Sequence, residues 1–227
     1  MLASPAEIRG GSRGMQTGTE ERAIVHVVDD DASMRRALED LFDSVGLQTQ
    51  TYATADAFLS VKVANRPGCI VLDVRLPDMN GLEFQTRLIQ TGIGIPVVMM
   101  TGFGDIPMSV HAMKRGAIDF LAKPFRDQDM LDAVMSAIER DRQRRVFEDD
   151  VLQLQQRFES LSPREQEVML LVATGKMNKQ VAGDLGISEI TVKIHRGAAM
   201  HKMGARTLAD LVRMADALKP GRRKPIR

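Results

Sequence analysis

Cysteine is nearly absent from this 227-residue chain: Cys69 stands alone, so no internal disulfide is available. Its apolar neighbours in Cys69-Ile70-Val71-Leu72 mark it as a core thiol, and a lone thiol of that kind fits a reducing, cytoplasmic setting. Tryptophan is missing altogether and aromatics make up only 4%, which leaves the cores to Leu, Val, Ile, Ala and 15 Met. Long hydrophobic runs are missing too. No stretch approaches the ~20 apolar residues that span a bilayer, and residues 1–22 lack the apolar centre of a signal peptide. No membrane partner is expected. Rich in Gly, Ser, Thr and charge, those first 22 residues read as a disordered leader.

What is present suits two small domains better than one large one. Apolar residues make up 44% and charged residues 27%, an ordinary globular balance. The net charge of +1 conceals an asymmetry. From Ser162 onward thirteen Lys/Arg face six Asp/Glu, whereas the rest of the chain carries eighteen against twenty-four. An acidic front joined to a basic rear points to two separate tasks, with double-stranded DNA the expected partner of the rear.

Between residues 23 and 138, short β-branched runs alternate with amphipathic helical patterns. Strands are expected at 24–28, 47–52, 69–73, 96–100 and 118–122. Helices are expected at 33–45, 55–64, 81–91, 107–115 and from 128 onward. The first, third and fourth runs are nearly continuously apolar, as strands covered on both faces must be. Five such units predict an α/β fold, a doubly wound five-stranded parallel sheet of the flavodoxin-like kind. Such sheets gather their ligands at the carboxyl ends of the strands. The reactive residues meet that demand: Asp29 and Asp30 follow the first strand, Asp73 ends the third, Thr101 follows the fourth and Lys123 follows the fifth.

Phosphoryl transfer requires a nucleophile, a counter-charge and donors for the phosphate oxygens. Three carboxylates at one sheet edge repel one another unless a cation sits among them, and hard oxygen ligands favour Mg²⁺. Asp73, at the end of the middle strand, is the candidate phosphoacceptor. Asp29 and Asp30 are candidate metal ligands with Asp73, joined by the backbone carbonyl of Arg75. Lys123 offers a point charge for the phosphate and Thr101 a hydroxyl donor. Taken singly, each motif has a plainer reading. Asp31 or Ser33 can cap the next helix, Asp-x-x-x-Pro is a turn and Lys-Pro is a loop. Their joint placement at four strand ends, in order, argues against coincidence.

Val27-Val28-Asp29-Asp30-Asp31, the run from Leu72 to Leu82, Thr101-Gly102 and Lys123-Pro124-Phe125 resemble the receiver domains of two-component response regulators. The resemblance implies phosphorylation of Asp73 by a sensor histidine kinase, dependence on Mg²⁺ and a cis bond before Pro124. Phe120 falls where that family places a switch aromatic, so no tyrosine hydroxyl is available there. A phosphatase or phosphotransferase enzyme using Asp73 is the competing class. Such enzymes need a second carboxylate two residues on, and that position is Arg75. No enzyme is therefore expected, beyond acceptance and loss of the chain's own phosphoryl group.

Residues 139–160 read as a charged helical linker with a heptad-like seam at Phe147, Val151, Leu154, Phe158 and Leu161. That seam suits packing on the chain's own domains or on a partner helix. Ser162-Pro163-Arg164-Glu165 opens a new helix with a capping box and Pro at the first position. From 161 to 218 the pattern is all helix, with segments at 163–173, 179–185, 189–203 and 207–215 and a basic tail at 219–227. Leu185-Gly186-Ile187-Ser188 pairs a glycine C-cap with a serine N-cap, the mark of a helix-turn-helix. The second helix of such a motif enters the major groove. Val192, His195, Ala199 and Met203 are the expected buried stripe.

Leu161 to Glu165, Asn178 to Ala182 and Ser188-x-x-Thr191-Val192-Lys193-x-His195-Arg196 resemble the LuxR-type DNA-binding domain. Paired with a receiver, this points to the NarL/FixJ class, and residues 104–110 look FixJ-like. Candidate DNA contacts are Lys179, Ser188, Thr191, Lys193, Ile194, Arg196, Gly197 and Lys202. Gly197 departs from relatives that carry a basic residue there. The resemblance further implies homodimerisation on phosphorylation, through the face of the 107–115 helix and the fifth strand, with RNA polymerase as a further partner.

Overall fold

A computed structural model describes residues 22–102 and 119–219. The leader up to residue 21, the expected helix at 107–115 with the FixJ-like run, residue 118 and the tail from 220 lie outside the described residues. The chain divides into two compact units, Met1–Ile138 and Glu139–Arg227.

In the first unit five strands form one parallel sheet among the described residues: β1 (Ile24–Val28), β2 (Gln48–Tyr52), β3 (Gly68–Asp73), β4 (Val97–Thr101) and β5 (Asp119–Ala122). Their order is β2-β1-β3-β4-β5. The helices are α1 (Ala32–Ser44), α2 (Ala55–Leu59), α3 (Gly81–Gln90) and the start of α4 (Asp127–Glu159). Every residue of β1, β3 and β4 is buried, whereas β2 and β5 at the edges are partly open. The continuously apolar runs of the sequence therefore correspond to the three central strands.

Side chains two apart share a face of the sheet. Ile70 and Leu72 join Phe58, Phe84, Leu88 and Met99 on one side. Cys69 and Val71 join Phe42, Val98, Met100, Met130 and Val134 on the other. Phe42, Phe58 and Phe84 are fully buried, each contributing about 1.5–3 kcal/mol by transfer from water. These two cores fix the sheet so that the ends of β1 and β3 lie side by side at the point where the strand order reverses. Register confirms it: Val28 pairs with Leu72, and Asp73 with Met100.

The helix expected at 55–64 is shorter, ending at Leu59. The Ser60 hydroxyl donates to the carbonyls of Asp56 and Ala57, and the β-branched Val61 and Val63 follow before Pro67. Helix α1 is capped by Asp31, whose carboxylate accepts from the Ser33 and Met34 amides.

The second unit is helical: the rest of α4, then α5 (Pro163–Ala173), α6 (Asn178–Leu185), α7 (Glu189–Met203) and α8 (Leu208–Ala217). The Ser162/Glu165 capping box with Pro at the helix start is present. Gly186 takes the left-handed conformation, φ 64°, that closes α6, and the Ser188 hydroxyl accepts from the Thr191 amide to open α7. Leu154, Phe158 and Leu161 pack in one core with Met169, Ala199, Met203 and Leu211. For those three the seam of α4 belongs to the chain's own second unit. The Arg157 guanidinium donates to the Met203 carbonyl (3.3 Å), closing the C-terminus of α7.

Candidate phosphoacceptor pocket and nucleic-acid interface

Asp29 leaves β1, Asp73 ends β3, Thr101 ends β4 and Lys123 leaves β5. Parallel pairing carries these four positions to one edge of the sheet. Carboxylate oxygens of Asp29, Asp30 and Asp73 all lie within 4.8 Å of one another. Asp29 and Asp73 are buried while Asp30 is exposed, so the cluster opens to solvent on one side. Lys123 Nζ donates to Asp29 Oδ2 and to Asp73 Oδ2, both at 2.7 Å. Thr101 is buried, and its carbonyl accepts from the Lys123 amide at 2.7 Å. The Lys123–Pro124 bond is cis.

Burial pushes the Asp29 carboxyl above its ordinary value, against the pull of the Lys123 hydrogen bond and the Asp31 amide. Burial works to lower the Lys123 ammonium, but its bonds to Asp29 and Asp73 and their charges outweigh it and raise the value. The lysine is therefore a firm cation, and the pocket a place where negative charge is crowded beside it.

The remaining walls come from the loop after β3. The Arg75 amide donates to Asp73 Oδ1 (3.0 Å), and Arg75 bridges to Asn80 as the loop turns back. A Cβ at Gly81 would stand 2.9 Å from Val74 Cα and 3.0 Å from the Asp73 carbonyl oxygen, so only glycine fits that return. Asp78 accepts from the amides of Ala55 and Asp56, fastening the loop to the start of α2. On the other side Arg35 Nη1 donates to the Asp29 carbonyl (2.7 Å). Sequence reasoning assigned no role to Asp78, Gly81 or Arg35. Asp78 and Gly81 lie within the quoted motif, and Arg35 falls six residues beyond Asp29. Phe120, in register with Met99 on β5, is half-buried against the core that contains Phe58 and Phe84.

On the second unit the structure sorts the candidate DNA contacts. Lys179, Ser188, Lys193, Ile194 and Gly197 are exposed. The Ser188 hydroxyl also lies 2.8 Å from Thr191 Oγ1. Arg196 donates to Asn178 Oδ1 (3.1 Å) and Lys202 to Glu165 Oε2 (2.7 Å), giving both a bond inside the unit. Lys202 and the Ser162 amide hold the Glu165 carboxyl below the usual carboxylate range. Val192, Ala199 and Met203 form the buried stripe, and His195 is half-buried beside it.

An acidic strand-end pocket on a doubly wound sheet, followed by a basic helix-turn-helix unit, defines a receiver joined to a DNA-binding module. A family model described as the response regulator receiver domain matches residues 25–135, and one described as bacterial regulatory proteins of the luxR family matches residues 159–215. Nodulation protein W of Bradyrhizobium diazoefficiens is 56% identical over 206 residues, covering 91% of each chain. The transcriptional regulatory protein FixJ of Azorhizobium caulinodans is 44% identical over 195 residues, covering 86% of this chain and 92% of its own. The solved structure of the response regulator StyR shares 46% identity at a TM-score of 0.73, covering 86% of this chain and 98% of that one. The chain belongs to the two-component response regulators of the NarL/FixJ class, transcriptional regulators rather than enzymes. No described helix is long and apolar enough to cross a membrane.

Proposed function

We propose that Asp73 accepts a phosphoryl group from a sensor histidine kinase and that this transfer controls DNA binding by the second unit. The observation that carries the reading is the shared contact of Lys123 with Asp29 and Asp73 beside the three-carboxylate cluster. The receiver family binds Mg²⁺ at this pocket. The donor set here fits such an ion: all oxygen, hard, one member open to solvent. Asp29, Asp30 and Asp73 would hold it with the Arg75 carbonyl, and when bound it supplies positive charge for the phosphoryl oxygens.

The chain's own residues do the rest. An Asp73 carboxylate oxygen forms the new P–O bond as the P–N bond to the kinase histidine breaks, and the imidazole leaves with the electron pair. Lys123 holds Asp73 in place beforehand, and its ammonium offers a positive charge to the group that arrives. The Thr101 hydroxyl, at the end of β4, donates to a phosphoryl oxygen. Movement of Thr101 toward the phosphate then frees space for the Phe120 ring to turn inward. Phosphorylation thereby favours a homodimer whose two copies of α7 read paired half-sites. Lys179, Lys193 and Arg196 contact phosphates or base edges, and bound protein acts on RNA polymerase in the cytoplasm.

DNA affinity of the full chain, with and without a small-molecule phosphodonor and Mg²⁺, tests this against Asp73→Ala. Tighter binding only in the treated native chain is the expected result. Equal affinity in all three states rejects control by phosphate.

A further inference from the structure

The turn of an α-helix places Ile190, Ile194, Gly197 and His201 of α7 along one line. Val192, Ala199 and Met203, all fully buried, occupy the opposite side, so that line is the outermost of the helix. Ile190 is 71% exposed and Ile194 64%. A Cβ at Gly197 would meet nothing within 4 Å. Arg196 and Lys202, on the flanks, are bonded to Asn178 and Glu165, while Lys193 is exposed next to the line. The most prominent surface of a basic unit is thus apolar.

One exposed isoleucine needs no explanation. Two of them one turn apart, on the side of the helix that faces a groove, do. The major groove offers a single strongly apolar base feature, the C5-methyl of thymine. We propose that Ile190 and Ile194 read thymine methyl groups, so that α7 selects T at the base pairs they touch by apolar contact. The inference rests on the reading of α7 as the helix that enters the groove. The exposed cations at Lys193 and Lys179 favour DNA over a protein as the occupant, because they supply the phosphate contacts that would seat the apolar line between two backbones.

The experiment uses the full chain and a duplex selected from a random pool, with deoxyuridine then replacing thymidine one position at a time. Deoxyuridine keeps the base pair and removes the methyl. At one or two positions the native chain should lose about fourfold in affinity, the worth of one buried CH₂-sized group. Ile190→Ala and Ile194→Ala should each abolish the loss at one position, binding the T and U duplexes alike. Lys193→Ala should weaken both duplexes equally. Indifference of the native chain to every replacement overturns the inference while leaving DNA binding intact. Methyl discrimination that survives in both alanine variants also overturns it, since other residues would then read the methyl. Failure to retain any duplex overturns the DNA-binding reading itself, and this inference with it.

Discussion

The two units place their charges in opposite ways. In the receiver, the groups that would react are drawn inward: Asp29 and Asp73 are buried, and one lysine joins them. In the DNA-binding unit two cations of α7, Arg196 and Lys202, sit on the flanks bonded to neighbours, Lys193 is exposed, and the outermost line carries isoleucine and glycine. Burial makes the receiver's functional residues part of its stability. Exposure leaves the outer line of α7 free of any such duty. The contrast predicts that substitutions at the first site damage fold and function together, whereas those at the second separate them.

The largest loss at neutral pH should come from Lys123→Met. Removing one partner from a buried ion pair costs about 3–5 kcal/mol, because the remaining charge loses its compensation. The Lys123 side chain keeps 18% of its exposure, so a loss of roughly 2–3 kcal/mol is expected here. Urea unfolding of the native chain and the variant at neutral pH, in chelator, measures it. Added Mg²⁺ should restore more stability to Lys123→Met than to the native chain, since a divalent cation replaces the missing charge among Asp29, Asp30 and Asp73. An unchanged midpoint would break the contrast, for the pocket would then be no more structural than α7.

His26 sharpens it from inside the receiver. It lies in β1 among Tyr52 and Phe58, with Nδ1 3.3 Å from the Tyr52 hydroxyl and Nε2 without a hydrogen-bond partner among the described residues. Burial, aided by Arg66, lowers its pKa from 6.5 to about 4. The unfolded chain takes up a proton near 6.5 while the folded chain resists until about 4. Stability from this group is therefore complete above pH 6.5 and lost as pH falls toward 4, by roughly 3 kcal/mol in all. Acid should therefore loosen the receiver, the unit that holds His26. His26→Phe, which keeps the ring packing, should flatten the profile between those limits in a denaturant titration. A profile unaltered by the substitution would assign acid sensitivity elsewhere.

How much of this was legible beforehand follows from the same contrast. Asp29, Asp73 and Thr101 were readable because buried parallel strands are continuous apolar runs, and the residue at the end of such a run has one place to go. Lys123, after the partly open β5, was readable from the Lys-Pro motif and its order behind the other three. The roles of Asp78, Gly81 and Arg35 were not readable, since each depends on the loop after β3 or the first turn of α1 folding back on a distant backbone group. Charge counting marked the second unit as basic, but the sequence put Lys193, Arg196 and Lys202 on the same footing as candidate DNA contacts. Only the packing of α7 on α5 and α6 shows that Arg196 and Lys202 have partners inside the unit while Lys193 does not share those bonds. The short α2 escaped notice for a related reason: an apolar pattern extends past Leu59, but the Ser60 hydroxyl closes the turn there.

The smallest effect, and the one that separates the two regions most clearly, is expected at Gly197. Alanine in a helix interior is favoured over glycine by about 1 kcal/mol, and the added methyl meets no atom of the protein within 4 Å. Gly197→Ala should therefore raise the thermal stability of the second unit. If the backbone of α7 approaches base edges along its outer line, the same methyl intrudes on the DNA, and affinity for a selected duplex should fall several-fold. Stability and binding then move in opposite directions, where at Lys123 they fall together. A variant that gains both stability and affinity would place the outer line of α7 away from the groove and break the contrast at its second half.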